Sequence, residues 1–190
     1  MLKTACIILL IACLTAVVFG QTSTDYFPLS AVEKKKWESC EAAIAELEAT
    51  PSVKADTLLA YAQLAYEAQL YDRTRTWCEA ALALAPDLGD AHYLIGKAYV
   101  SSYGLCKDQP GRFAKLPGAV IWAAFDEWEQ ALTKSTTKTE QIKVLLERYH
   151  QFLPTEEDLK RCFTNNTWQA GDRFPVGCWI QRAAKIRFYR

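Results

Sequence analysis

The chain reads as a mostly α protein, built of antiparallel helix pairs and closed by a small C-terminal β-hairpin. Three observations predict this. Apolar residues recur at steps of three and four through most of residues 30–152, the period of helices with one buried stripe. Pro and Gly cluster in short breaks between those runs, so consecutive helices must turn back on one another. The last stretch switches to a period of two, which means strand.

The elements follow in order. Residues 1–20 read as an export signal. Lys3 and the amino terminus make a positive start, residues 5–19 carry no charge, and Gly20 offers a cleavage site ahead of Gln21. The run is shorter than the ~20 apolar residues that span a bilayer. Leu10-Ile11-Ala12-Cys13 also resembles a bacterial lipobox, although the residues after Cys13 stay apolar. The expected location is therefore outside the cytoplasm, periplasmic or extracellular. Membrane contact is expected only if Cys13 is lipidated or the signal stays uncleaved.

A polar lead-in, residues 21–29, precedes a helix over about 30–49. Ser30 and Glu33 have capping-box spacing, and Trp37, Cys40, Ile44 and Leu47 form one stripe. Helices follow over about 56–69, 72–85 and 90–101, broken at Leu70-Tyr71 and at Pro86 to Gly89. Their many alanines let axes approach closely, and their tyrosines fill what is left. A loop spans 102–118, with Gly104, Pro110, Gly111, Pro117 and Gly118. Loops of this length are often functional or tied down. Helices resume over 119–134, with Trp122, Phe125, Trp128 and Leu132 on one face, and over 139–152. Pro154-Thr155-Glu156-Glu157 opens a short helix with its acids in the favourable first turn. Phe174, Val176, Cys178 and Ile180 then alternate with polar or small neighbours. After a break at Arg182-Ala183, Ile186 and Phe188 alternate with Lys185, Arg187 and Tyr189. This predicts the hairpin, with Pro175 at an edge. The domain plan is a signal (1–20), a lead-in (21–29), a helical domain (30–134) with the inserted loop 102–118, and a C-terminal extension (135–190).

The composition is globular, 51% hydrophobic and 12% aromatic. Twenty-two basic residues balance 22 acidic ones, so no global charge recruits nucleic acid. The charge is unevenly spread. From Lys160 onward seven basic side chains face Asp172 alone, whereas residues 21–159 hold 14 basic against 21 acidic. Such a tail either binds a partner or folds back onto acidic helices. Its aromatic and apolar content favours the second.

Five cysteines lie outside the signal: Cys40, Cys78, Cys106, Cys162 and Cys178. None is spaced for zinc, so no metal is expected. Export permits disulfides. Cys106, Cys162 and Cys178 sit in loop-rich parts and are the disulfide candidates, with a bridge joining two of the three. Cys40 and Cys78 read as buried thiols. His92 and His150 stand at helix ends, no Gly-rich phosphate loop or nucleophile elbow occurs, and no catalytic residue or cofactor is expected. Trp37, Trp77, Trp122 and Trp128 sit at core spacing, and Trp168 and Trp179 are the candidates for surface contact. Asn165-Asn166-Thr167 is a sequon, and Asp56-Thr57-Leu58 looks like a bacterial O-glycosylation motif.

Residues 55–100 resemble the tetratricopeptide repeat, a helix pair of about 34 residues. Leu58, Tyr61, Ala62 and Tyr66 match its first helix, and Tyr71, Cys78, Ala81, Leu82 and Pro86 its second. The next unit restarts with Tyr93, Ile95, Gly96 and Tyr99, and its second helix, with Ala124, Trp128, Ala131 and Leu132, is delayed by the loop. The distal part, from Tyr149 through Pro154-Thr155-Glu156-Glu157 to Val176-Gly177-Cys178-Trp179-Ile180, is similar to the end of exported tetratricopeptide proteins of Bacteroides-type bacteria. That group implies a compartment and an architecture but no substrate. The repeat implies a partner-binding face on the first helix of each pair: Leu59, Gln63 and Tyr66, then Tyr93, Lys97 and Val100. The expected function is a non-enzymatic scaffold of the cell envelope that binds a protein or peptide. The alternative is a structural subunit joined to its complex through the hairpin edge. A third reading is a thiol-dependent enzyme.

Overall fold

The computed structural model describes residues 54–107, 116, 118–163 and 167–189, with Lys35 and Glu38. The expected signal, lead-in, helix over 30–49, most of the 102–118 loop and the asparagines of the sequon lie outside the described residues.

Short links fix the order of packing. α1 (Ala55–Glu67), α2 (Tyr71–Leu84) and α3 (Gly89–Ser101) turn at the predicted breaks. The region expected as loop opens with a short helix, α4 (Tyr103–Lys107), before α5 (Ala119–Leu132). α1 packs on α2, α2 on α3 and α3 on α5; α1 also touches α3, and α6 (Thr139–His150) lies on α5. These are antiparallel helix pairs in series.

The close approach comes from small residues. Ala62, Ala65, Cys78, Ala81, Ala91, Ala98, Ala124 and Ala131 are all fully covered. Gly96 faces the Trp128 indole, and Trp128 Nε1 donates to the Tyr93 carbonyl at 3.2 Å. The links are stitched too. Gly89 N donates to Ser135 O at 2.7 Å, and Ser135 N to Asp87 O at 3.0 Å. The Asp90 carboxylate accepts from Thr136 Oγ1 (2.5 Å), Thr137 N (2.9 Å) and Thr137 Oγ1 (2.8 Å), tying the start of α3 to the link after α5. α7 (Glu156–Cys162) opens on a capping box between Thr155 and Asp158.

The hairpin differs in register from the expected one. β1 (Arg173–Val176) pairs with β2 (Arg182–Lys185), Phe174 opposite Ala184 and Val176 opposite Arg182. Arg182-Ala183, expected as a break, begin β2. The turn comes earlier, as a 3-10 segment at Cys178–Ile180, with Cys178 and Gln181 in the left-handed region (φ 60° and 43°). Ile186 and Phe188 lie beyond the strand. Tertiary packing decides this, because the turn itself is buried: Trp179 and Ile180 are both covered. Trp179 is accordingly not a surface residue. Its ring meets Tyr99 at 5.4 Å, Nε1 donates to Ser102 Oγ at 3.0 Å, and the Arg75 guanidinium lies over it at 5.2 Å. Trp168, the other surface candidate, is half-buried, edge-on to Phe163 and Phe174. Phe174 in turn meets Trp122 edge-on at 5.4 Å, which seats the hairpin on α5.

Candidate partner-binding face

Steps of four and three put Leu59, Gln63 and Tyr66 on one face of α1, and Tyr93, Lys97 and Val100 on one face of α3. The structure brings the centre of this set together. The Lys97 ammonium lies 4.4 Å from the centre of the Tyr66 ring and 5.4 Å from that of Tyr93, within cation–π range. Tyr66 Oη is 3.0 Å from Ser101 Oγ, which joins α1 to the end of α3. Tyr71 leans on Tyr66 with ring centres 6.0 Å apart. Leu59 and Val100 are half-buried against the core at the margins. Gln63 is exposed and donates to Glu67 Oε1 within its own helix at 2.8 Å. Burial, and then the neighbouring Tyr66, raise the Tyr71 and Tyr93 phenols above their usual range. Both stay neutral at neutral pH and can donate hydrogen bonds.

Cys106 and Cys178 form a disulfide, with Cα atoms 5.4 Å apart. The bridge thus joins two of the three candidates and pins α4 to the hairpin turn. Cys162 is outside it. Cys78 is a buried thiol as expected. Burial, then the charges of Glu127 and Glu79, push its pKa far above the ordinary thiol range, the opposite of a reactive cysteine.

A second polar region was missed in the sequence motifs. The hairpin lays its arginines on the acidic side of α5. Arg173 Nη1 reaches Asp126 Oδ2 at 2.8 Å, and Arg187 Nη2 reaches Asp126 Oδ1 at 2.8 Å and Glu129 Oε2 at 2.6 Å. Arg182 bridges Glu127 Oε1 (2.5 Å) and Glu79 Oε1 (2.9 Å). Glu127 is also 2.7 Å from His92 Nδ1, so His92 is held rather than solvated. Beside them lies a cleft of about 670 Å³. Tyr99 lines it, its phenol pushed up to about 12 by burial and then by Glu127, against the pull of Arg182 and Arg75. A His–carboxylate pair can orient a general base. Among the described residues the lining holds no serine, threonine or cysteine, and the three guanidinium groups are engaged by carboxylates. The arrangement is a seam that holds the tail. The only hint of it in the sequence was the opposed charge of tail and helices, because His92, Glu127 and Arg182 share no local pattern.

Among the described residues, no group of His, Cys, Asp or Glu is placed to hold a metal ion, and no helix is long and apolar enough to cross a membrane. No family model, curated protein or solved structure matches the chain.

Proposed function

We propose that this protein is a non-enzymatic scaffold of tetratricopeptide type that binds another protein across the α1/α3 face, in the envelope or outside the cell. The observation that carries the reading is the Lys97 cluster. A lysine stacked between Tyr66 and Tyr93 joins side chains of two helices on a surface that the other described residues leave partly exposed. Tyrosine-rich area of this kind is enriched at interface centres, and Lys97 adds one positioned charge to it. The series of antiparallel pairs supports the same reading, since stacked pairs present their first helices side by side. The Cys106–Cys178 disulfide is consistent with an oxidising, exported compartment.

The test is a cross-linked pull-down of the tagged protein from its native envelope fraction, beside a Tyr66→Ala/Lys97→Ala variant. A partner recovered by the wild type, lost by the variant and bound again from purified components is the expected result. A partner retained by a folded variant would move the interface elsewhere.

A further inference from the structure

We propose that the α1/α3 face selects partners that carry an acidic residue set among apolar ones, with Lys97 as the residue that reads the charge. This rests on the scaffold reading and adds the chemistry of the partner.

Arg75, Lys134, Lys143, Lys160, Arg161, Arg173, Arg182 and Arg187 each lie in ion-pair range of a carboxylate. Lys97 has no such partner among the described residues. Glu67 accepts from Gln63 within its own helix, and Asp90 accepts from Thr136 and Thr137 across the link after α5. Lys97 is also not a freely waving surface lysine. Two rings hold its ammonium in place, and one of them is fixed by the Tyr66–Ser101 contact. Cation–π contact leaves the ammonium with its full charge and all three donors. A carboxylate arriving there meets a positioned cation, with Tyr93 as a neutral hydroxyl beside it. Lys97 is itself half-buried, as are Leu59 and Val100 on the same helix faces, so the pair would be partly shielded from water and stronger than an exposed one. The face carries no acidic residue of its own among its six positions, so nothing in it would attract a basic partner.

The experiment selects a random-peptide phage library on the full chain, as wild type, Lys97→Met, Lys97→Glu and Tyr66→Ala, each checked for native circular dichroism. The wild type should enrich peptides with Asp or Glu between apolar residues. Lys97→Met should keep the apolar preference, lose the acidic one and weaken binding of a wild-type-selected peptide by roughly tenfold or more. Lys97→Glu should enrich Lys or Arg at the same position. Enriched peptides without an acidic residue, or an acidic preference unchanged in both Lys97 variants, would overturn the charge preference and leave the face intact. No enrichment by the wild type, or enrichment unaffected by Tyr66→Ala, would remove the face itself and the preference with it.

Discussion

At Gly96 a β-carbon would stand 2.4 Å from Trp128 Nε1, and Trp128 is fully buried with its Nε1 committed to Tyr93. Alanine would ordinarily strengthen a helix by about 1 kcal/mol over glycine. Here the overlap outweighs that gain, and Gly96→Ala should destabilise by about 1–3 kcal/mol in urea titration. The Gly96-x-x-Tyr99 spacing was legible in the sequence, whereas the identity of the group pressing on Gly96 required the helix pairing. Asp90 makes a second prediction. Burial opposes its charge, but the hydrogen bonds from Thr136 and Thr137, aided by Lys138, outweigh it and hold the carboxyl below its usual range. A carboxylate with a depressed folded pKa stabilises the fold above its unfolded value of about 3.9, and that contribution fades as pH falls through the folded value. Thermal melts across acidic pH should therefore show Asp90→Asn less stable than wild type near neutrality, with the gap closing as acid protonates Asp90.

Among the elements, the helices were the most legible because one-sided burial imprints a period on each. Trp122, Phe125 and Trp128 were placed on a core face of α5 from spacing alone, and all three are covered. The same logic overreached at Leu132, which is 37% exposed at the end of its helix. The hairpin was legible in kind but not in register. Phe174 and Val176 alternate as a strand should, but β2 is Arg-Ala-Ala-Lys, a sequence without β-branched or aromatic residues. It is a strand because β1 and α5 make it one. The turn between them is held by Cys106–Cys178, which spans 72 positions. Loop-closure entropy for a span of that size is worth about 4 kcal/mol. Cys106→Ser, or wild type melted in reductant, should lose stability on that order, and adding reductant to the variant should change nothing further.

For the molecule as a whole, the hairpin closes the helical stack and is poorly suited to reach out of it. Lys185 N on the β2 edge donates to Asp126 at 3.0 Å, and Pro175 withholds a donor from the β1 edge. Truncation before Arg173 would remove Phe174 from Trp122 and the Arg187 carbonyl from Trp122 Nε1. The shortened chain should bind a hydrophobic dye and aggregate on heating, so a loss of partner binding in it would report unfolding rather than a lost interface. The opposed charges of tail and helices left a binding tail and a returning one both open, its aromatic content favoured the second, and the seam of Arg173, Arg182 and Arg187 on α5 is how it returns. What no composition or spacing could foretell was which helix receives it.

The bond between Cys106 and Cys178 also changes the topology of the chain. It makes a covalent ring of everything from the end of α4 to the hairpin turn, α5, α6 and α7 included. A single protease cut within that ring opens it without yielding two molecules. One nick there leaves the α1/α3 face still covalently attached to the hairpin seam on α5.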